Sequence, residues 1–466
     1  MKHIKNNCLK KLTLLFILFT STIFNASCED FLEVEPPISE IPFDTVFEDE
    51  NLANATVANM YTKLRDDILF SGMFNGNGII MGLYSDELDY YATPGNPLES
   101  FYNHTILPNN QVVKSVWDGC YNLIYASNSF LEGISNSTTL DTETINRLMG
   151  EALFIRAVCH FYLTNFFGNV PYIISTHHIE NQNVSRTDSE IIYQNIIEDL
   201  ILSKSLLTEQ YHIEDKIRAN KYVISAFLAR VYLYHEDWAL AMEESSQVIN
   251  ASSLYSLEQD INLEFNKNST STILQLKPGV EGLNTWEGMI LNFTSPPNNF
   301  ALNPEIYESM ENEDLRKNNW ISIVTDGDNV WYANTKYKEN SFTGTTIEYA
   351  KVLRLSEQYL IRAEALARLG NLSQAKEDLN AIRFRAGLQA SIAQTQDDLL
   401  NEILQEKRSE FFAEQGHRWF DLVRFNKAEE VLIPIKPNWR NTDFLLPIPE
   451  IELLNNPNLL PQNPGY

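Results

Sequence analysis

The 466-residue sequence has few cysteines, few basic residues and no long apolar run. Four cysteines are too few for a disulfide scaffold in a chain of this length. Lys plus Arg number 35 against 62 Asp plus Glu, a formal charge of −27. A sequence-independent nucleic-acid binder needs a basic footprint, and the chain as a whole has none. Association with bare anionic lipid is disfavoured for the same reason. The apolar stretch at 12–24 is short of the roughly 20 helical residues needed to cross a bilayer. G-x-S-x-G, phosphate-loop, G-x-G-x-x-G, H-E-x-x-H and C-x-x-C motifs are all missing. What is present is globular composition, 44% apolar and 11% aromatic. The length suits about three domains or one large α-rich unit.

The N-terminus is more informative. Lys2, Lys5, Lys10 and Lys11 precede the short apolar stretch, and small residues follow it, the pattern of an export signal. Asn25-Ala26-Ser27-Cys28 resembles a bacterial lipoprotein box in which Cys28 is acylated; an ordinary signal peptide is the alternative. Glu29, Asp30, Glu33 and Glu35 then resemble an acidic surface-export tag. Acyl chains would tether an acidic body that stays in water. Cys120 and Cys159 remain, either as two buried thiols or as a disulfide.

Helical periodicity dominates the body. It marks 43–65, 117–128, 142–166 and 189–206, with Gly168 and Pro171 ending the third. Segments 220–235 and 238–249 form a helix pair around a short turn, and 359–386 forms another around Gly370-Asn371. Tetratricopeptide-type hairpins place small residues twelve apart where two backbones approach. Ala229 and Ala241 have that spacing, as do Ala363 and Ala375. The two units lie 134 residues apart, so the sequence is not a continuous solenoid. Between them, 70–110 and 270–346 are rich in Gly, Asn, Pro and aromatics, with short strands expected at 271–276 and 330–332. Long loops of this kind in a compact domain are functional or disordered, and their aromatic content argues against disorder. Leu445 to Pro449 and Pro461 to Tyr466 are too Pro-rich for helix and are expected to wrap the body.

Together these blocks resemble the SusD/RagB family of outer-membrane nutrient-binding lipoproteins. The resemblance rests on Cys28-Glu29-Asp30-Phe31-Leu32; on Trp117, Tyr121 and Asn128; and on Glu151-Ala152 through Arg156-Ala157. It continues through Arg218-Ala219-Asn220-Lys221, Glu406-Lys407-Arg408-Ser409-Glu410 and Glu414-Gln415-Gly416-His417-Arg418-Trp419-Phe420-Asp421, and closes at Gln462-Asn463-Pro464-Gly465-Tyr466. It implies a mainly α fold, with tetratricopeptide-like hairpins as a scaffold and irregular insertions carrying a few short strands. It implies a signal peptide at 1–27 and one domain at 28–466, divided at 28–270, 271–346 and 347–466. It also implies a lipid-anchored protein at the outer membrane, facing outward, that caps a TonB-dependent barrel over more than about 2,000 Å². No catalysis and no cofactor are implied. The cargo is an oligosaccharide or, in some members, a peptide.

The charged block Glu414, His417, Arg418, Asp421 and Arg424 offers a His beside carboxylates, the raw material of acid–base catalysis. Its place in the scaffold favours a structural role. With 62 carboxylates a glycosidase pair is not excluded by residue type, though nothing singles one out. Metal signals are poor: His177-His178 are adjacent, and Asp326-Gly327-Asp328-Asn329 lacks the later ligands of a calcium loop. Sugar binding is better motivated, because aromatic planes stack apolar ring faces while amides and carboxylates bond the rim. The insertions supply Asp86, Tyr90, Tyr91 and Asn96, then Trp286, Trp320, Trp331 and Tyr337. Tyr90, Tyr91, Trp286 and Trp331 lead this set; Trp117, Trp238 and Trp419 are assigned to the core.

Overall fold

The computed structural model describes residues 43–466. The expected signal segment and Cys28 lie outside the described residues. Phe43–Val46 is one helical turn belonging to a separate unit. The other unit, Phe47–Tyr466, is described below.

Its first half contains α1 (Glu50–Asp66), α2 (Asn77–Tyr84), α3 (Gln111–Ile134), α4 (Thr142–Phe167), α5 (Ser189–Leu206), α6 (Lys221–Tyr234) and α7 (Trp238–Asn250). Residues 251–354 then leave the helices in an excursion that carries α8 (Trp286–Leu291). The chain resumes with α9 (Leu355–Arg368), α10 (Leu372–Arg385), α11 (Gln396–Phe411), α12 (His417–Arg424) and α13 (Glu450–Asn455). The strands are β1 (Leu88–Tyr90), β2 (Thr272–Leu276), β3 (Phe300–Leu302), β4 (Ile321–Asp326), β5 (Asn329–Asn334) and β6 (Ala350–Arg354). The described residues are therefore mainly helical, with the short strands at 88–90 and within the excursion. Helix α2 is an addition to the expected pattern. Its residues Ile79, Ile80, Met81 and Leu83 are buried in sequence too glycine-rich to read as helix.

Side-chain caps start the long helices. Asp49, Asn110, Asp141, Asp188 and Asn220 each accept from first-turn backbone N–H groups that have no partner within the helix. Consecutive helices from α3 to α7 pack pairwise. Ala229 and Ala241 are fully buried where α6 meets α7, and Ala363 and Ala375 where α9 meets α10. The α4–α5 approach uses different small residues, with Ser203 Oγ donating to Gly150 O at 2.6 Å. Helix α7 also packs directly on α9, so the two hairpins are neighbours in space despite their separation in sequence. Within the excursion, the stretch between β2 and β6 leaves and returns at one point because these strands are antiparallel, with Thr272 opposite Arg354 and Leu276 opposite Ala350. Cys120 and Cys159 are buried free thiols, and burial together with Cys159 pushes the Cys120 thiol up.

Buried ion pairs explain several of the sequence blocks. Glu151 on α4 holds Arg218, and Arg156 meets Asp199 of α5 at 2.6 and 2.8 Å. Asn128 accepts from Arg156 at 2.8 Å and donates to Ile173 O at 3.1 Å, tying α3 to the segment after α4. The C-terminal wrap is stitched down by Leu446 N donating to Phe166 O at 2.7 Å and Asn463 Nδ2 donating to Phe167 O at 2.9 Å.

The largest cluster joins the excursion to the helices. Arg354 reaches Glu264 at 2.8 Å and Glu410 at 2.9 Å, while Arg385 pairs with the same two carboxylates. Arg316, inside the excursion, meets Glu410 at 3.0 Å and Glu406 at 2.7 Å. Burial opposes the Glu410 charge, but Arg385, Arg354 and Arg316 hold its carboxyl well below the ordinary range. Removing one partner of such a buried set leaves uncompensated charge, at about 3–5 kcal/mol. Glu410→Gln is expected to lower stability by about that amount, read as a lower urea midpoint. For acid, the sign follows from depressed folded-state pKa values. Glu364 and Asp86 sit at about 2, so their contribution is complete above the ordinary carboxylate range and is lost as pH falls through about 2. Circular dichroism is expected to stay native down to about pH 4 and to collapse only under stronger acid.

Candidate functional site

The two insertions meet in one sheet of order β1-β3-β5-β4. Leu88 lies opposite Leu302, Leu302 opposite Tyr332, and Tyr90 opposite Phe300. Asp326 pairs with Asn329 across a two-residue turn in which Gly327 has φ +60°, so the acidic run closes a hairpin. Successive side chains point to opposite faces of a strand, which sets Asp89 apart from Leu88 and Tyr90.

Tyr91, just past β1, and Trp331, on β5, come together. Tyr91 is 44% exposed and Trp331 half-buried, and the Trp331 side chain lies close enough to the Tyr91 phenol to influence its ionisation. Burial and the Asp89 charge push the Tyr91 phenol up, and the Trp331 contact works against them. Beside them, Asp89 Oδ1 accepts from Asn303 Nδ2 at 3.0 Å and from the Tyr102 hydroxyl at 3.5 Å. Sequence reasoning missed Asp89 and Asn303. Asn303 did carry a signal, since Asn-Pro opens a helix, and Asn303 Oδ1 caps the Pro304–Ser309 helix by accepting from Glu305 N at 3.0 Å. The arrangement offers two aromatic surfaces, a carboxylate and an amide within one patch. That is chemistry for gripping a polyol rather than for moving protons.

The other expected residues are dispersed. Tyr90 is half-buried, with its ring near Phe300 and Tyr102 and its hydroxyl donating to Thr93 O at 2.7 Å. Asn96 is exposed and shapes its own turn, Oδ1 accepting from Leu98 N at 3.0 Å. Trp286 opens α8, which packs against β3 and β5. It lines a separate cleft of about 270 Å³ with Phe70, Met73 and Met289.

Asp86, Trp320 and Tyr337 require correction, because all three are interior. Arg418 holds Asp86 through two 2.8 Å contacts and Arg408 adds one at 2.9 Å. Burial opposes the Asp86 charge, yet these guanidiniums keep its carboxyl at about 2. Trp320 is fully buried, donating Nε1–H to Ile261 O at 3.0 Å. The buried Tyr337 hydroxyl accepts from Lys351 N at 2.9 Å, and its ring meets Phe265. An excursion of this size needs a small core of its own, and these aromatics supply it. Trp117 and Trp419 are core residues as expected, whereas Trp238 is half-buried under the Arg368 guanidinium.

The charged C-terminal block is committed to the scaffold. Glu414 accepts from Lys336 at 2.6 Å and Arg354 at 3.0 Å, and Arg424 binds Glu364 and Asp421. His417 packs on Phe411, and burial with nearby cations pushes its pKa well down. Among the described residues no cluster of His, Cys, Asp or Glu is arranged to hold a metal ion, and no helix is long and apolar enough to cross a membrane.

Comparison with known proteins adds to this geometry. Residues 30–233 match the family described as SusD-like, starch-binding associating with outer membrane, and residues 284–466 match the SusD family. SusD-like protein P2 of Formosa agariphila is 26% identical, the match covering 98% of this chain and all of that one. SusD-like protein P38 of the same organism is also 26% identical, over 98% of this chain and 99% of its own. A laminarin-binding SusD-like protein superposes with a TM-score of 0.77 at 25% identity, over 90% of this chain and all of that one. A SusD homolog from Bacteroides thetaiotaomicron reaches 0.78 at 17% identity, over 91% and 98%. Two family matches that together span most of the chain, on a mainly helical frame, place it in the SusD/RagB family.

Proposed function

We propose that the protein binds a neutral oligosaccharide on the Tyr91–Trp331 face without cleaving it and hands it to a TonB-dependent barrel that it caps. One observation carries the reading: two aromatics from insertions far apart in sequence meet in a partly exposed patch beside Asp89 and Asn303. A formal charge of −27 repels polyanionic glycans, which favours neutral ones. The name of the laminarin-binding relative makes a β-glucan the first probe. Peptide capture on the same frame is the alternative, and a binding panel separates the two.

Replacing Tyr91 and Trp331 together by Ala removes two stacking surfaces, each worth about 0.5–1.5 kcal/mol beyond the area it covers. Retention in affinity electrophoresis against a panel of neutral polysaccharides that includes laminarin is expected to weaken about tenfold or more. Trp286→Ala, in the neighbouring cleft, is expected to weaken it less. Unchanged retention for the double variant, or calorimetric binding of peptides alone, rejects this face as a glycan site. Release of reducing sugar by the pure protein rejects the non-catalytic reading.

Anchoring is a separate proposal. Cys28 carries lipid and holds the acidic body at the outer membrane. Cys28→Ala is expected to move the protein from the membrane fraction to the soluble fraction. Retention in the membrane fraction shows that something else holds it there.

A further inference from the structure

A second groove lies on different elements from the Tyr91–Trp331 face. It runs between α3, the segment 171–184 and α13, and has a volume of about 790 Å³, within the range of ligand sites. Neither Tyr91 nor Trp331 lines it.

Its lining combines tyrosines with side-chain amides. On α3, Tyr121 and Tyr125 follow each other at i, i+4 and so share a helix face. The Tyr121 ring is fixed, because its hydroxyl donates to Pro171 O at 2.9 Å and its centroid lies 4.9 Å from that of the tilted Trp117 ring. Tyr125 is 56% exposed, with no ring contact or hydrogen bond among the described residues. Asn122, one residue beyond Tyr121, and Asn455, at the end of α13, are exposed, and neither side-chain amide is used within the described chain. Other amides brace the walls: Asn456 Nδ2 donates to Val184 O and Asn458 Nδ2 to Asn183 O, both at 2.8 Å. These bonds tie the C-terminal segment to the 171–184 segment, so the groove is held open by the fold.

The lining also selects by charge. It contains no Lys or Arg, and its two carboxylates, Asp118 and Glu452, disfavour an anionic guest. Asp118 is itself neutralised by Lys114. Burial and the Asp118 charge push the Glu452 carboxyl up. The walls are too rich in amides for a lipid chain. An exposed aromatic plane flanked by unused amides suits a ring with apolar faces and hydroxyls around its edge.

We propose that this groove is a second binding site for neutral oligosaccharide, with Tyr125 stacking a sugar ring and Asn122 and Asn455 bonding its hydroxyls.

The test uses the full chain and four neutral hexaoses as probes: β-1,3-glucan, α-1,4-glucan, β-1,4-glucan and β-1,4-mannan. A uronic-acid hexaose is the charged control. Calorimetry is run on the wild type, Tyr125→Ala/Asn455→Ala and Tyr91→Ala/Trp331→Ala, with thermal melts confirming that each variant is folded. At least one neutral hexaose is expected to bind at a site that Tyr125→Ala/Asn455→Ala weakens about tenfold or more and that Tyr91→Ala/Trp331→Ala leaves intact. The uronic-acid hexaose is expected not to bind there. The proposal is overturned if no neutral hexaose shows binding that depends on Tyr125 and Asn455, or if the uronic-acid probe binds there equally well. Loss of binding in only one of the two double variants shows which site is real, so the two readings fail separately.

Discussion

One carboxylate organises the molecule. Glu410 on α11 meets Arg354 at the end of β6, Arg385 on α10 and Arg316 within the excursion. Each guanidinium is nearly or fully buried, so none can fall back on water when the partner shifts. Desolvation makes such clusters poor sources of net stability, since an apolar core of equal volume does as well. Their strength is that only one arrangement satisfies every member. Here that arrangement sets where the excursion lies relative to the helices. The excursion in turn carries β3 and β5, and through them it sets where Trp331 meets Tyr91.

The helices were legible in the sequence because burial recurs with helical period. In α3, Val113, Val116, Trp117, Cys120, Leu123 and Ile124 form one apolar stripe. The twelve-residue alanine spacing revealed two hairpins. It missed the α4–α5 approach, where Gly150 and Ser203 do the same work with no alanine. The direct packing of α7 on α9 was not legible, because it depends on two strands meeting at the base of the excursion. Several of the sequence blocks that carry the resemblance supply internal ion pairs, such as Glu151 with Arg218 and Glu410 with Arg354.

The candidate face was half legible. Tyr91 and Trp331 sit in loop-like sequence and are partly exposed, as that context suggests. Trp320 and Tyr337 sit in similar sequence and are buried, because composition does not distinguish a flap from the small core beneath it. Asp86 has its partner 332 residues away, beyond any local pattern. Asp89 and Asn303 matter only because β1 pairs with β3, and that register brings together two strands of three residues each.

The β2–β6 pair has a wider consequence. It makes everything from the end of β2 to the start of β6 a cassette whose two ends are joined, with β3 as a second attachment through its pairing with β1. Such a cassette tolerates changes of length and sequence, because the helices on either side are already joined through α7 and α9. Evolution or an engineer can therefore exchange the half of the candidate face that the cassette carries, Trp331 and Asn303, while Tyr91 and Asp89 stay with the first insertion, provided the cassette keeps Arg316 to dock on Glu410 and the β2–β6 pairing.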